Sequence, residues 1–566
     1  MKCLLSSIGA LVLGLVLAGC SVRHYRASAD RAAASLVAEK TPSVPNMDPH
    51  FTIEPTDSLS LEDLPLASQA EEAFGPEASA EIGARVISLE KALEIAVNHS
   101  TIYQSQKEQV YLQALALSLA RHQYTPIFSA PQRANYQVTT EQPTIVVIDP
   151  VTLLPKAQLS DSLAEQHRVT GQGLAGANWL LKTGAQLSTA FTADFSRFLT
   201  GDPRTFTSSQ LAAALTQPLW RGAGKAALEN LTQSERTLLY ALRDFTRFRR
   251  DFSIQVATAY YGILQNKDAV RNSWRGFQNF KLNVERERAL AEEGLKAQTS
   301  LGLLRQSELN TETTWINAMR NYRQSLDQFK IQLGLTTDAT IVLDDLELAG
   351  LKILHPDITA EQAQEIALVT RLDLYNWRDQ LADARRRISV AANGLKPQID
   401  LVSTVGIDSP QGSATRFYAP DINRYHWSAG LNLDLPFERT AQRNIYRTAL
   451  IAHEQAARQW QLASDQIKLQ VRNDWRNLDQ AKRNYESSQI GVELSERRVE
   501  EQELRAELGR GTARDLVDAQ IDLIAQKNLR TQAVIAHTIA RLQFWNDMGI
   551  LYIKDNGRWE AQPHAE

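Results

Sequence analysis

LEKALEIA at residues 89–96 and AEQAQEIA at residues 360–367 are one segment written twice. Glu90/Glu361, Ala92/Ala363, Glu94/Glu365, Ile95/Ile366 and Ala96/Ala367 are identical at an offset of 271, which also relates Ala120 to Ala391 and Pro126 to Pro397. A constant offset across 88–126 and 359–397 marks an internal duplication. Each copy continues in the same order. A helical stretch of ~35 residues ends at proline, and a strand, a loop and a second strand end at Pro218 or Pro436. A helix of ~70 residues, a glycine-containing turn and a closing helix follow, ending at Leu333-Gly334 or Met548-Gly549.

Proline placement supports the long helices. None lies between Pro218 and Pro356 or between Pro436 and Pro563, and proline inside a helix costs ~3 kcal/mol. Residues 225–293 and 440–508 are rich in Ala, Leu, Arg, Glu and Gln. At 1.5 Å per residue such helices reach ~100 Å, beyond the ordinary globular range, which predicts a coiled coil or helical barrel. The stripe Phe252, Val256, Ala259, Tyr260 and Ile263 is flanked by charge and suits a neighbouring helix.

The prolines flank a two-residue period. Trp427, Ala429, Leu431, Leu433, Leu435 and Phe437 alternate with polar or small residues, as do Ile399–Ile407 and Ala185–Phe195, with a weaker run at Leu211–Leu219. Each run has the 9–12 residues of a tilted membrane strand. This predicts two strands per half. Four strands cannot close a barrel, for which about eight are the minimum, and open edges do not survive in hydrocarbon. Several chains must then share one barrel. The first half carries 53 extra residues between its strands, an added hairpin, an external loop or a plug.

Composition narrows the function. Lys+Arg 61 against Asp+Glu 65 gives a net charge of -4, which disfavours a nucleic-acid binder. Mean hydropathy is -0.31, and beyond the first twenty residues no apolar run is long enough for a spanning helix. Lys2 and the apolar run Leu4–Leu17 form a secretory signal, and Leu17-Ala18-Gly19-Cys20 resembles a bacterial lipobox. Cys3 leaves with the signal, so Cys20 has no disulfide partner and is the expected site of diacylglycerol and N-acyl attachment. By resemblance, Ser21 favours the outer membrane. Residues 20–85, with six prolines, read as a flexible lipidated tether.

The duplicated helix–strand–strand–helix pattern over about 86–550 resembles the outer-membrane efflux protein (TolC-like) family. QPLWRGAG (217–224) resembles its strand-to-helix junction at Gln217, Pro218 and Gly222. LDLPFERTAQR (433–443) resembles the second junction at Pro436, without the glycine cluster. The resemblance implies a mainly α chain with transmembrane β: a homotrimer with one twelve-strand β-barrel in the outer membrane, continued by a twelve-helix periplasmic α-barrel. It divides the chain into a signal peptide (1–19), the tether (20–85), a first repeat (86–335; strands about 127–219, long helix about 222–293), an equatorial linker (336–358), a second repeat (359–550; strands about 398–437, long helix about 440–508) and a tail (551–566). It implies a passive exit duct served by a periplasmic adaptor and an inner-membrane pump of the RND, ABC or MFS type. Gly294, Leu295, Gly511 and Thr512 match the family's adaptor-docking tips. Asp515 and Asp518, one helical face at i,i+3, match its periplasmic gate. The same aspartates also suit the positive end of a helix dipole.

Other chemistry is thin. Gly171–Gly176 fits G-x-G-x-x-G but is followed by a β-rich stretch. The histidines are dispersed without cysteine partners, and no nucleophile or P-loop motif occurs. No catalytic residue, metal ligand or further cofactor is therefore assigned. Arg385-Arg386-Arg387 reads as a solvated helix face or a tunnel lining. Phe128, Tyr136, Phe195, Phe198, Tyr418 and Trp427 suit interfacial girdles. The alternative to a duct is a lipid-anchored coiled-coil structural or adaptor protein without a pore.

Overall fold

The computed structural model describes residues 22–54, 61–142, 144–150, 152–159, 163–200, 205–293, 298–410, 420–508 and 510–561. In chain order the first half contains α1 (Val22–Lys40), β1 (Arg85–Ile87), α2 (Leu89–His99), α3 (Thr101–His122), β2 (Ile127–Ser129), β3 (Gln132–Glu141), β4 (Thr144–Ile148), β5 (Pro155–Leu159), β6 (Ala164–Leu180), β7 (Gln186–Phe198), β8 (Thr205–Pro218), α4 (Glu229–Glu292) and α5 (Gln298–Leu333). The second contains β9 (Ile341–Leu343), α6 (Leu346–Ala349), α7 (Ala360–Thr370), α8 (Leu372–Gly394), β10 (Gln398–Asp408), β11 (Tyr425–Asp434), α9 (Thr440–Glu507), α10 (Ala513–Asp547), β12 (Leu551–Ile553) and β13 (Trp559–Ala561). Two compact units result: Met1–Ala114, Leu238–Gln380 and Ala457–Glu566 form a helical one, and Leu115–Thr237 with Leu381–Ala456 form one built on the sheet.

In the helical unit the duplication is visible residue by residue. Ser88 caps α2 by accepting from Lys91 N at 3.3 Å, and Thr359 caps α7 by accepting from Gln362 N at 3.3 Å. Gln362 accepts a bond in return from Thr359 N, completing a capping box. The single ~35-residue helix expected in each copy is instead two helices. Ser100 and Arg371 are extended, with ψ 126° and 121°. Each break lies under the end of its own half's last helix. Gly334 and Gly549 adopt φ +81° and +77°, so that Leu335 N reaches Lys330 O and Ile550 N reaches Trp545 O. A Cβ on Gly334 would lie 2.1 Å from His99 O, and one on Gly549 would lie 2.7 Å from Thr370 Oγ1. No proline or glycine sits at either break, so helix-breaking composition could not reveal it.

The tether expected over residues 20–85 is also overturned for its described part. α1 buries Ala33, Leu36 and Val37. Asn46 exchanges two 2.8 Å hydrogen bonds with the Ile553 backbone, and Arg249 donates to Asn46 O at 2.9 Å. Glu71 meets Arg271 at 2.6 Å and Lys267 at 3.8 Å, and Tyr322 donates to Glu81 at 2.6 Å. Proline content favoured a loose chain, but these acidic and apolar side chains have partners far along the sequence. The C-terminal stretch closes as the β12–β13 hairpin, where Leu551 and Ile553 pack with Ile254 and Leu542.

In the other unit the strands form one antiparallel sheet in the order β11–β10–β8–β7–β6, with β2 and β3 both on the outer side of β6. β2 and β3 share one register on β6, so they act as one strand interrupted at Pro131. Among the described residues the sheet is therefore six strands wide rather than four. The extra residues of the first half supply β2–β3 and β6, together with the separate β4–β5 hairpin. Alternation is faint in β6 because one face carries Gly171, Gly173, Ala175 and Ala177. Gly176, in the apparent nucleotide motif, lies mid-strand, where a Cβ would come 2.3 Å from Thr189 O. The glycine serves close strand approach.

Candidate functional site

The sheet's register sorts its side chains onto two faces. Leu401 lies between Gln217 and Leu431, and Val405 between Ala213 and Trp427. Phe191 lies between Leu211 and Ala175. The opposite face carries Asp194, Gln210, Asp408, Thr404 and Ser428 at paired positions. Thr404 and Ser428 hydroxyls meet at 2.7 Å, and Gln210 donates to Asp408 at 3.1 Å. The described residues leave the apolar face uncovered: Trp427 is 69% and Leu431 68% exposed. Of the aromatic residues expected in girdles, Phe128, Tyr136, Phe195 and Trp427 lie on this apolar face. Phe198 lies on the other, edge-on to Phe206 and beneath Arg168. Its parity along β7 already placed it there. Tyr418 falls outside the described residues.

The two strand-to-helix junctions reach the same result by different chemistry. In the first, Gln217 Nε2 donates to Pro218 O at 2.6 Å and its Oε1 accepts from Thr183 at 3.1 Å. Gly222 adopts φ +79° and donates its N–H to Asn393 Oδ1 at 2.7 Å, while Asn393 Nδ2 donates to Trp220 O. In the second, Arg439 bridges the carbonyls of Pro436 and Leu395 at 3.0 Å each, and Glu438 accepts from Thr440 N at 2.8 Å. The arginine bridge fixes a turn that has no glycine cluster. Asn393, Glu438 and Arg439 carry no sequence signal of their own; only the missing glycines hint that another device is needed. The Arg385–Arg387 run is likewise no simple solvated face. Arg386 binds Glu229 at 2.7 Å and Asp383 at 2.8 Å, and Arg387 donates to Gln233 at 3.0 Å.

The helix turns carry the other candidate residues. Cys20, Gly294 and Leu295 lie outside the described residues. At the second turn the N–H groups of Arg510 and Gly511 both donate to Arg505 O at 2.9 Å. A Cβ on Gly511 would lie 2.8 Å from Ala506 N, so close backbone approach is what its glycine provides. Thr512 is the N-cap of α10: its Oγ1 accepts from Asp515 N at 3.2 Å and donates to Asp515 Oδ2 at 2.6 Å. Leu516, Val517, Ala519 and Gln520 are buried, and Val517 packs with Phe280, Val284 and Leu304. Asp515 and Asp518 are left together on the exposed face. Asp518 is 4.0 Å from Arg514, an exposed pair of small energetic weight. Asp522, one turn further, continues the acidic row and meets Arg498 at 2.6 Å. Its i,i+7 spacing from Asp515 is a sequence signal that the family resemblance alone did not pick out.

A buried polar cluster also escapes sequence reasoning. Arg371, at the second-half break, forms two bonds to Asp373, at 2.7 and 3.0 Å, and approaches Asp547 at 3.6 Å. Burial, then the neighbouring Asp547 carboxyl, push Asp474 up to about 7, against the pull of Arg371. A raised carboxyl favours the folded state while protonated. Its contribution is full below the ordinary carboxylate range and is lost as pH rises to about 7. Asp474→Asn is accordingly expected to melt higher than the parent, with a gap that widens from about pH 4 to about 7 and then levels. Partial solvent screening keeps that gain to about 1–2 kcal/mol. A pH-independent difference in melting temperature would show that Asp474 is not the group responsible.

No family model and no curated protein matches the chain. Among solved structures, the outer-membrane channel OprN aligns with a TM-score of 0.57 at 13% identity, covering 90% of this chain and 97% of its own. The Campylobacter jejuni outer membrane channel CmeC aligns at 0.56 and 12% identity, covering 92% and 96%. The outer membrane protein VceC of Vibrio cholerae aligns at 0.58 and 13%, covering 81% and 96%. The chain has the fold of the outer-membrane efflux protein family. The likeness covers nearly the full length of these channels, so it includes the sheet as well as the helices.

Proposed function

We propose that the chain is an outer-membrane exit duct. It assembles as a homotrimer, is anchored by lipid on Cys20, and passively conducts cargo handed over by an inner-membrane pump through a periplasmic adaptor. One observation carries this reading: among the described residues, a broad antiparallel sheet exposes apolar side chains on one face, polar ones on the other, and unpaired backbone along both edges. In water that surface invites aggregation. In lipid it becomes a barrel wall once copies pool their strands. The solved channels OprN and CmeC, which the chain resembles along their length, support the location. α9 supports assembly, since Leu462, Leu469, Ile490, Leu494 and Leu504 remain exposed on a single copy.

At the tip, Asp518 is the better gate residue, because the Asp515 carboxylate is already engaged by Thr512. Three copies would bring a ring of carboxylates to one aperture and favour cations. Asp518→Asn is expected to lower the cation-over-anion permeability ratio of single channels, with assembly unchanged. An unaltered ratio would remove Asp518 from the gate.

The reading as a whole is tested with a Cys20→Ser form of the full chain. Without its lipid it should still require detergent, run as a trimer and conduct ions in planar bilayers. A monomer that stays in solution without detergent would return the protein to the pore-less, lipid-anchored alternative.

A further inference from the structure

We propose that β11 (Tyr425–Asp434) of one copy pairs with the β2–β3 strand (Ile127–Glu141) of the next, so that three copies close a barrel of eighteen strands rather than twelve. This rests on the outer-membrane reading above, and it identifies the subunit joint and sets the width of the pore.

The added hairpin belongs to the wall. β6 pairs with β7 along Arg168–Leu180 without a break, and β2–β3 pairs with β6 in one register on the far side. Apart from Ile127 and Gln132, its large side chains keep the sorting of the other strands. Phe128, Tyr136 and Val138 share the face of Trp179, Val169 and Leu187, while Arg133, Asn135 and Gln137 share the opposite face with Gln172 and Arg168. A plug or an external loop has no reason to continue an apolar lipid face in register. Phe128 at 80% exposure and Tyr136 at 61% are uncovered, as Trp427 is at the other edge.

The two edges also fit each other. Six successive antiparallel strands leave β2–β3 and β11 running in opposite directions, so a head-to-tail joint repeats the antiparallel pattern of every other pair. Different surfaces meet at that joint, and rotation closes such a contact into a ring. Pro131 does not spoil the edge. Its carbonyl accepts from Leu174 N, and in an antiparallel strand a residue's N–H and C=O point the same way. The donor that proline lacks therefore faces β6, and the outer row stays complete. β11 offers ten residues and carries no proline, enough for a membrane crossing. Diameter grows roughly linearly with strand number, so the pore would be about 1.5-fold wider than a twelve-strand one.

Cysteine pairs test the joint in membranes carrying the full chain. Ser428→Cys is combined in turn with Arg133→Cys, Asn135→Cys, Gln137→Cys and Thr139→Cys, which cover the possible registers on the same face. A second series combines it with Ser188→Cys, Thr192→Cys and Ser196→Cys on β7, the strand that would form the joint if the extra hairpin stood outside the wall. The first series should give covalent species of up to three copies in at least one register, and the second none. Electron cryomicroscopy of the detergent-solubilised oligomer should count eighteen strands. Cross-links to β7, cross-links in neither series, a twelve-strand wall or a two-copy ring each overturn the proposal while leaving a membrane pore in place. A protein soluble without detergent overturns the underlying reading instead.

Discussion

Replacing Gly334 by alanine is expected to destabilise the protein by about 2–5 kcal/mol, read as a lower temperature for loss of the folded oligomer in detergent. Two costs add. A side chain at φ +81° occupies the left-handed region, at about 1–2 kcal/mol. The new Cβ would also sit 2.1 Å from His99 O. That obstacle is backbone at the α2–α3 break, not the end of a flexible side chain, so relief requires moving a helix junction. Overpacking of this kind costs about 1–3 kcal/mol. Gly549→Ala should cost less, because its nearest obstacle is the Thr370 hydroxyl at 2.7 Å, the end of a side chain, and the nearest backbone atom, the Thr370 carbonyl carbon, is further away at 3.1 Å. Gly302 is the internal control. It lies within α5, and apart from its chain neighbours and its own turns of helix no described atom comes within 4 Å of where its Cβ would stand, so alanine there should be neutral or stabilising by up to about 1 kcal/mol. Equal melting for Gly334→Ala and Gly302→Ala would show that the break beneath α5 is not rigid.

The same glycines show what the sequence could and could not reveal. Leu333-Gly334 and Met548-Gly549 are readable as the ends of corresponding helices because glycine often follows a helix. The 271-residue offset then carries the caps Ser88 and Thr359, and the proline-free stretches mark α4 and α9 within a few residues. Local chemistry is enough for these. The breaks at Ser100 and Arg371 depend on what docks against them, which no local pattern contains. The anchoring of residues 22–54 depends on Asn46 meeting Ile553 and Arg249, hundreds of positions away. Strand β6 is obscured for a third reason. The small residues Gly171, Gly173, Ala175 and Ala177 on its apolar-side face erase the alternation that betrays a strand. At the tip, the pairing of Asp515 with Thr512 is readable from spacing as a helix start, whereas the proposed gate role comes only from resemblance. The structure supplies the cap directly and places Asp518 on the exposed face, 4.0 Å from Arg514.

Thr404→Arg and Val405→Arg are neighbours in β10, the strand between β11 and β8, and should behave oppositely. Val405 lies between Ala213 and Trp427 on the apolar face and is 46% exposed in the single chain. If that face meets lipid, a guanidinium there costs about 2–4 kcal/mol per chain near mid-membrane. In the proposed trimer that cost is multiplied, so assembled oligomer in the membrane should fall severely. Thr404, between Ala214 and Ser428, projects from the polar face. An arginine there would stand in water, leaving assembly near normal and shifting conductance toward anions. Because the positions are adjacent, both variants carry the same charge on the same strand at nearly the same depth, and only the face differs. A soluble sheet that packed its apolar face against protein would also reject Val405→Arg, but Thr404→Arg would then leave no mark on ion flow. Failure of Thr404→Arg to assemble, with Val405→Arg intact, would mean that the wall is turned inside out relative to the face assigned here.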